Sequence, residues 1–97
     1  MTRVERDCLC AITRSTAANS LDVSARLIAR RNWSSMLFTG MRLTLAVTAG
    51  DDEQFDHWLA TLPEADFPIS GHFVASAEVI ARSECAASIE LLVVEES

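Results

Sequence analysis

The sequence contains no tyrosine and no lysine. All eight basic residues are arginine, set against fourteen acidic ones, for a formal charge of −6. A chain so poor in positive charge lacks the basic stripe that nucleic acid requires, and an acidic surface is repelled by anionic membranes. Long apolar runs are missing too: none approaches the roughly 18 residues needed to cross a bilayer. The opening MTRVERDC is charged and has no apolar stretch behind it, so no secretion signal is expected. Cysteine is limited to Cys8, Cys10 and Cys85. An odd number of thiols in a chain without a signal favours reduced cysteines and a cytoplasmic location.

Sequence patterns that announce chemistry are also absent. Ser15-Thr16 and Ser34-Ser35 lie in no GxGxxG, Walker or GxSxG context and read as turn and cap residues. Cys8, Cys10 and Cys85 could offer soft ligands to zinc or copper, but there are no paired CxxC knuckles and a fourth ligand is missing. Free cysteine is among the most buried residue types, so packing is the favoured reading and no metal is expected. Asp51-Asp52-Glu53 opens no EF-hand loop; acids gather at a helix N-terminus without any metal. His57 and His72 have no evident nucleophile as partner. No catalytic residue is expected, and the chain reads as a non-enzyme.

What is present is clearest from Ser35 to Leu62. Two apolar runs, Met36 to Thr39 and Leu43 to Ala49, flank Gly40-Met41 and predict a hairpin. Phe55, Trp58, Leu59 and Leu62 then fall on one helical stripe behind the caps Asp51 and Asp52, and Pro63 ends it. Upstream, Cys8 to Ile12 (CLCAI) reads as a strand buried on both faces. Leu21 to Arg31 reads as a helix on the spacing Leu21, Ala25, Ile28, stopped at Asn32. Downstream, Ile69 to Val79 alternates as a strand and Ser88 to Glu95 as a last strand. Ile80 to Ala87 is open between strand, turn and a single helical turn. No internal repeat, low-complexity segment or linker is read, so residues 1–97 form one domain. The order βαββαββ predicts an α+β, ferredoxin-like βαββαβ sandwich with an added fifth strand. Its two helices would lie on one face of a mostly antiparallel sheet.

In that order, CLCAITRSTA, MLFTGMRLTLAVTAG and IARSECAASIEL resemble the BLUF family of blue-light sensors, over about Cys8 to Leu92. The resemblance implies a flavin held between the two helices. It also implies a strand-one tyrosine, a third-strand glutamine, an asparagine after the first helix and an aromatic or methionine on the fifth strand. Here tyrosine is absent, Ala46 stands at the glutamine position and Asn32 is the nearby asparagine. Ser88 and Ile89 stand where the fifth-strand residue would be. Trp33 could line the mouth of the cleft. The residual cleft candidates are therefore Asn32, Trp33, Ala46 and Ser88. Ala46 has no side-chain donor or acceptor, so the resemblance implies a signalling or interaction module that has lost flavin and photocycle. FAD is the expected cofactor only if the kinship is closer than these residues indicate. A small-ligand domain of ACT type is the alternative, although Ser15 to Asn19 lacks the glycine it would need. A small hydrolase of acylphosphatase type would want a phosphate-binding loop, and none is legible.

Leu43, Leu45 and Val47 alternate with Thr44, Ala46 and Thr48. Periodicity sends the leucine set beneath the helices. The resemblance sends Ala46 there instead, and so predicts Leu43, Leu45 and Val47 as a homodimer interface on the bare sheet face, with a further protein partner as a second prospect.

Overall fold

The chain starts on a helix. The structure, a computed structural model, describes residues 2–65 and 67–96, and its first element is α1, Arg3–Ala18. Thr2 and Glu5 nucleate it: the Thr2 hydroxyl accepts the Glu5 N–H, and the Glu5 carboxylate accepts the Thr2 N–H. Glu5, Cys8, Ala11, Ile12 and Thr16 make one buried stripe at helical spacing. The expected strand Cys8 to Ile12 is thus corrected to the middle of a helix, because its adjacent apolar residues belong to a longer one-sided pattern. Cys8 and Cys10, expected on one strand face, diverge: the first is buried and the second exposed.

The expected helix Leu21 to Arg31 is likewise a strand, β1, Val23–Ser34. Half-buried Val23, Ala25 and Leu27 alternate with exposed Ser24, Arg26 and Ile28. A segment whose apolar residues fit both periods is decided by its partner, and β1 pairs antiparallel along its length with β2, Thr39–Ala49. Met36 to Phe38, expected as strand, form the tip between them. Gly40 and Met41, expected as the turn, lie inside β2. Glycine is needed at 40 for a different reason: a Cβ there would overlap the Val93 carbonyl on the neighbouring strand.

The second helix forms as its sequence predicts. Helix α2, Asp52–Thr61, is capped by Asp51, whose carboxylate accepts the Gln54 N–H at 3.1 Å. Phe55, Trp58 and Leu59 are its buried face, and Pro63 ends it within the 3-10 turn Leu62–Glu64. Strands β3, His72–Ser83, and β4, Ala86–Glu95, follow, so the open stretch Ile80 to Ala87 resolves as strand, a turn at Glu84-Cys85, and strand.

The sheet order is β1-β2-β4-β3 and every pair is antiparallel. The architecture is α+β with two helices and a four-stranded open sheet, in the order αββαββ. The expected βαββαββ is corrected on two points. No fifth strand occurs among the described residues. The chain also opens on a helix where a strand was expected, although β2 and β3, joined through α2, run parallel with β4 between them, as in a split βαβ.

That order is a duplication, which overturns the reading of no internal repeat. Ser24 to Arg30 reads SARLIAR and Ser76 to Arg82 reads SAEVIAR, identical at five of seven positions. Each segment sits in the first strand of a helix–hairpin unit. Each has its register shift at the same isoleucine, between Leu27 and Ala29 and between Val79 and Ala81. Leu27 faces Leu45 in one unit and Val79 faces Ile89 in the other, while Leu45 and Ile89 face each other across the centre. A pseudo-two-fold axis therefore passes through the Leu45–Ile89 pair. The arginine shared by the two segments ties its edge strand to its own helix: Arg30 to Glu5 of α1 at 2.7 Å, and Arg82 to Asp52 of α2 at 2.8 Å.

Both helices cover one face of the sheet. Leu43, Leu45 and Val47 from β2 and Ile89, Leu91 and Val93 from β4 lie in one core with Cys8, Ile12, Phe55, Trp58 and Leu59. The placement of Leu43, Leu45 and Val47 on the bare face is thereby corrected. These three are fully buried, as their periodicity alone required, because only that set supplies the volume to fill the space under two helices.

Candidate functional site

The face away from the helices is assembled from residues that the register places in rows across the four strands. Trp33, Gly40, Val94 and Phe73 form one row at the end of the sheet near the β1–β2 tip. The next is Arg31, Arg42, Leu92 and Ser76; then Ala29, Thr44, Glu90 and Glu78. Arg26, Ala46, Ser88 and Ala81 follow. The isoleucines at the two bulges, Ile28 and Ile80, are exposed beside Ala29 and Ala81.

The first row is the apolar end. Val94 is only 2% exposed although it faces away from the helices. The Phe38 ring meets Phe73 edge-on, with centroids 6.4 Å apart. Beyond them the β1–β2 tip is a defined turn: the Ser35 N–H donates to the Phe38 carbonyl at 2.8 Å, and the Phe38 N–H donates to the Ser35 hydroxyl. That turn holds Met36 and Leu37 almost wholly in solvent, at 101% and 83% exposure.

The middle rows are charged, and unevenly. Arg42 pairs with Glu90 at 2.9 Å in the centre of the face. Arg26, Arg31 and Glu78 have no ion-pair partner among the described residues. The β1–β2 half thus carries Arg26, Arg31 and Arg42, and the β4–β3 half carries Glu78 and Glu90. In a chain of formal charge −6, this face carries three arginines against two acids.

The residual cleft candidates lie elsewhere than between the helices. Ala46 and Ser88 are paired with each other at the centre of the bare face. Trp33 is at its apolar end, and Asn32 is exposed on the edge strand. The helices meet directly, since the Trp58 Nε1–H donates to the Ser15 hydroxyl at 3.0 Å and Phe55 stacks beside Trp58. The Trp58 indole thus bridges α2 to α1 with the Phe55 ring beside it. No family model, curated protein or solved structure matches the chain. The segments that carry the BLUF resemblance fold as α1, as the β1–β2 tip with β2, and as β3–turn–β4.

Other groups of reactive side chains are sparse. A cleft of about 370 Å³ beside α1 is lined by Asp7, Cys10, Arg14, Ser15 and Phe67, and neither histidine lies in it. His57 is exposed on α2, and His72 approaches the Ser70 carbonyl at 3.2 Å. The Cys8 thiol is pushed up to about 12 by burial, then by Asp7 and Glu5, which keeps it protonated and inert. Among the described residues no three His, Cys, Asp or Glu side chains gather as metal ligands. No helix among them is long and apolar enough to cross a membrane.

The sequence reading reached Trp33, Ala46 and Ser88 of the bare face, assigning them to a cleft, but passed over its charged residues Arg26, Arg31, Arg42, Glu78 and Glu90. The period-two alternation of Val23 to Leu27, and the match of SARLIAR with SAEVIAR, are the signals that reveal β1 and hence the arginines it presents.

Proposed function

We propose that the chain is a protein-interaction module, without enzymatic activity and without flavin, that binds its partner through the uncovered sheet face. The observation that carries this is the exposed run Met36-Leu37-Phe38, held out by its turn and continued by Phe73. Contiguous exposed apolar residues rimmed by polar ones mark interaction surfaces. The Trp58 indole bridging the two helices, with Phe55 beside it, supports the flavin-free reading. Three free thiols favour a reducing cytoplasm as its place of work. The signalling role rests on the BLUF resemblance of the sequence segments alone.

The test is a photo-crosslinking residue placed at Phe73 and, in a parallel variant, at Gln54 on the exposed side of α2. In the cell that makes the protein, a discrete adduct is expected from position 73 and none from position 54. No adduct at 73, or equal adducts at both, would remove the sheet face as the binding surface.

A further inference from the structure

Resting on that interaction reading, we infer that the partner on the sheet face is a second copy of this chain, packed face to face about a two-fold axis that runs along the strands. The argument is charge complementarity. Such an axis lays the β1–β2 half of one copy over the β4–β3 half of the other and keeps the rows in step. Glu78 of one protomer then comes over Ala29 of its partner, between the two unpaired arginines Arg26 and Arg31 one row to either side. Rows two residues apart are about 6.6 Å from each other, within the reach of an arginine side chain. Glu90 meets small, polar Thr44, and the aromatic ends coincide, with Trp33 over Phe73.

The other face-to-face two-fold, with its axis across the strands, is disfavoured by the same rows. It lays β1 over β1 and, when centred on the Ala29 row, sets Arg31 over Arg26 and Glu78 over Glu78. Edge-to-edge pairing is discouraged as well, since β1 carries a bulge at Ile28 and β3 has bulges within Val74–Ser76 and Val79–Ala81. Four strands at about 4.8 Å spacing and some nine residues of length give a face of about 19 by 30 Å, roughly 570 Å², close to the roughly 600 Å² per partner at the lower end of stable interfaces. Sheets packed in this way lie about 10 Å apart with strands nearly aligned.

The test uses two variants of the full chain, Glu78→Arg and the double Arg26→Glu/Arg31→Glu. All three positions are exposed, so both variants should fold, with circular dichroism as the check. If the double variant unfolds, Arg31→Glu alone takes its place. The wild type is expected at twice the chain mass by light scattering, and each variant alone at the chain mass. Mixed one to one, the two variants should recover the dimer, because each then meets the charge its partner needs. A monomeric wild type at millimolar concentration, or a mixture of folded variants that stays monomeric, would overturn the inference. The crosslinking result separates this failure from that of the broader reading: an adduct at Phe73 to a different protein keeps the interaction face and removes the second copy.

Discussion

Glu5 is buried to within 4% of side-chain exposure, whereas its partner Arg30 stays 42% exposed. Burial pushes its carboxyl up, but the Thr2 N–H and the Arg30 guanidinium outweigh that and hold it below its ordinary 4.5. The asymmetry predicts unequal costs. Arg30→Ala strands a buried carboxylate and should cost about 3 kcal/mol; Glu5→Gln frees an arginine that reaches water and should cost about 1 kcal/mol. Thermal melts of the two variants check the order. A depressed folded pKa stabilises the protein fully above the unfolded value and loses that contribution as pH falls through the folded one. The Tm gap between wild type and Glu5→Gln should therefore hold above pH 4.5 and close below it; a gap unchanged at pH 3 would place the stabilisation elsewhere. Cys85 is a second constrained residue, at φ +56 in the β3–β4 turn. Its N–H donates to Asp52 and its carbonyl accepts from Ala49, and both are backbone groups that any residue supplies. Glycine adopts this conformation freely, so Cys85→Gly should raise stability by about 0.5–1 kcal/mol, read as a Tm rise of several degrees.

Among the elements, α2 was legible because its signals agree: an aspartate cap, a three-four-seven apolar stripe and a proline stop all fall in register. Helix α1 and strand β1 were exchanged in the sequence reading because each contains a segment that fits both periods. In CLCAI the buried positions of two helical turns sit close together in sequence, and only Glu5 and Thr16 at the stripe's ends reveal the period. In β1 the spacing of Leu21, Ala25 and Ile28 imitates a helix, while Ile28 is in fact the exposed residue of a bulge. The bare face was illegible for a related reason. Bulges in β1 and β3 break the alternation on which a sheet-face assignment depends, and the mirrored SARLIAR and SAEVIAR segments are short. The strand β2 has no such break, and its own period places Leu45 correctly in the core. Leu45→Asp should abolish the cooperative melt, since it buries a charge with no partner. Thr48→Asp, on the opposite face of the same strand and exposed, should melt within a few degrees of wild type. Circular dichroism on the pair decides which face is which: a folded Leu45→Asp would return the leucine set to the surface.

At the scale of the whole molecule, the duplication raises the question of whether each αββ unit is a folding unit. The core says that it is not. Leu43, Leu45 and Val47 of the first unit and Ala87, Ile89 and Leu91 of the second interleave across the β2–β4 pair. Helix α2 of the second unit also donates a hydrogen bond to Ser15 of the first. Cut apart, each half of about fifty residues would expose one side of its inner strand and half of the shared apolar layer, below the size at which a single core sustains itself readily. The natural point of division is Gly50–Asp51, where the exposed chain passes from β2 to the cap of α2. Fragments 1–50 and 51–97 made separately should each lack a cooperative melt. Mixed, they should associate one to one and regain the strand and helix signal of the intact chain. The complex should melt below the intact protein, because the new amino terminus puts positive charge at the start of α2 and because association now costs translational freedom. A cooperative transition from either fragment alone would show that the unit folds independently; two unstructured fragments that never combine would show that the connection at Gly50–Asp51 is itself required for the β2–β4 seam to form.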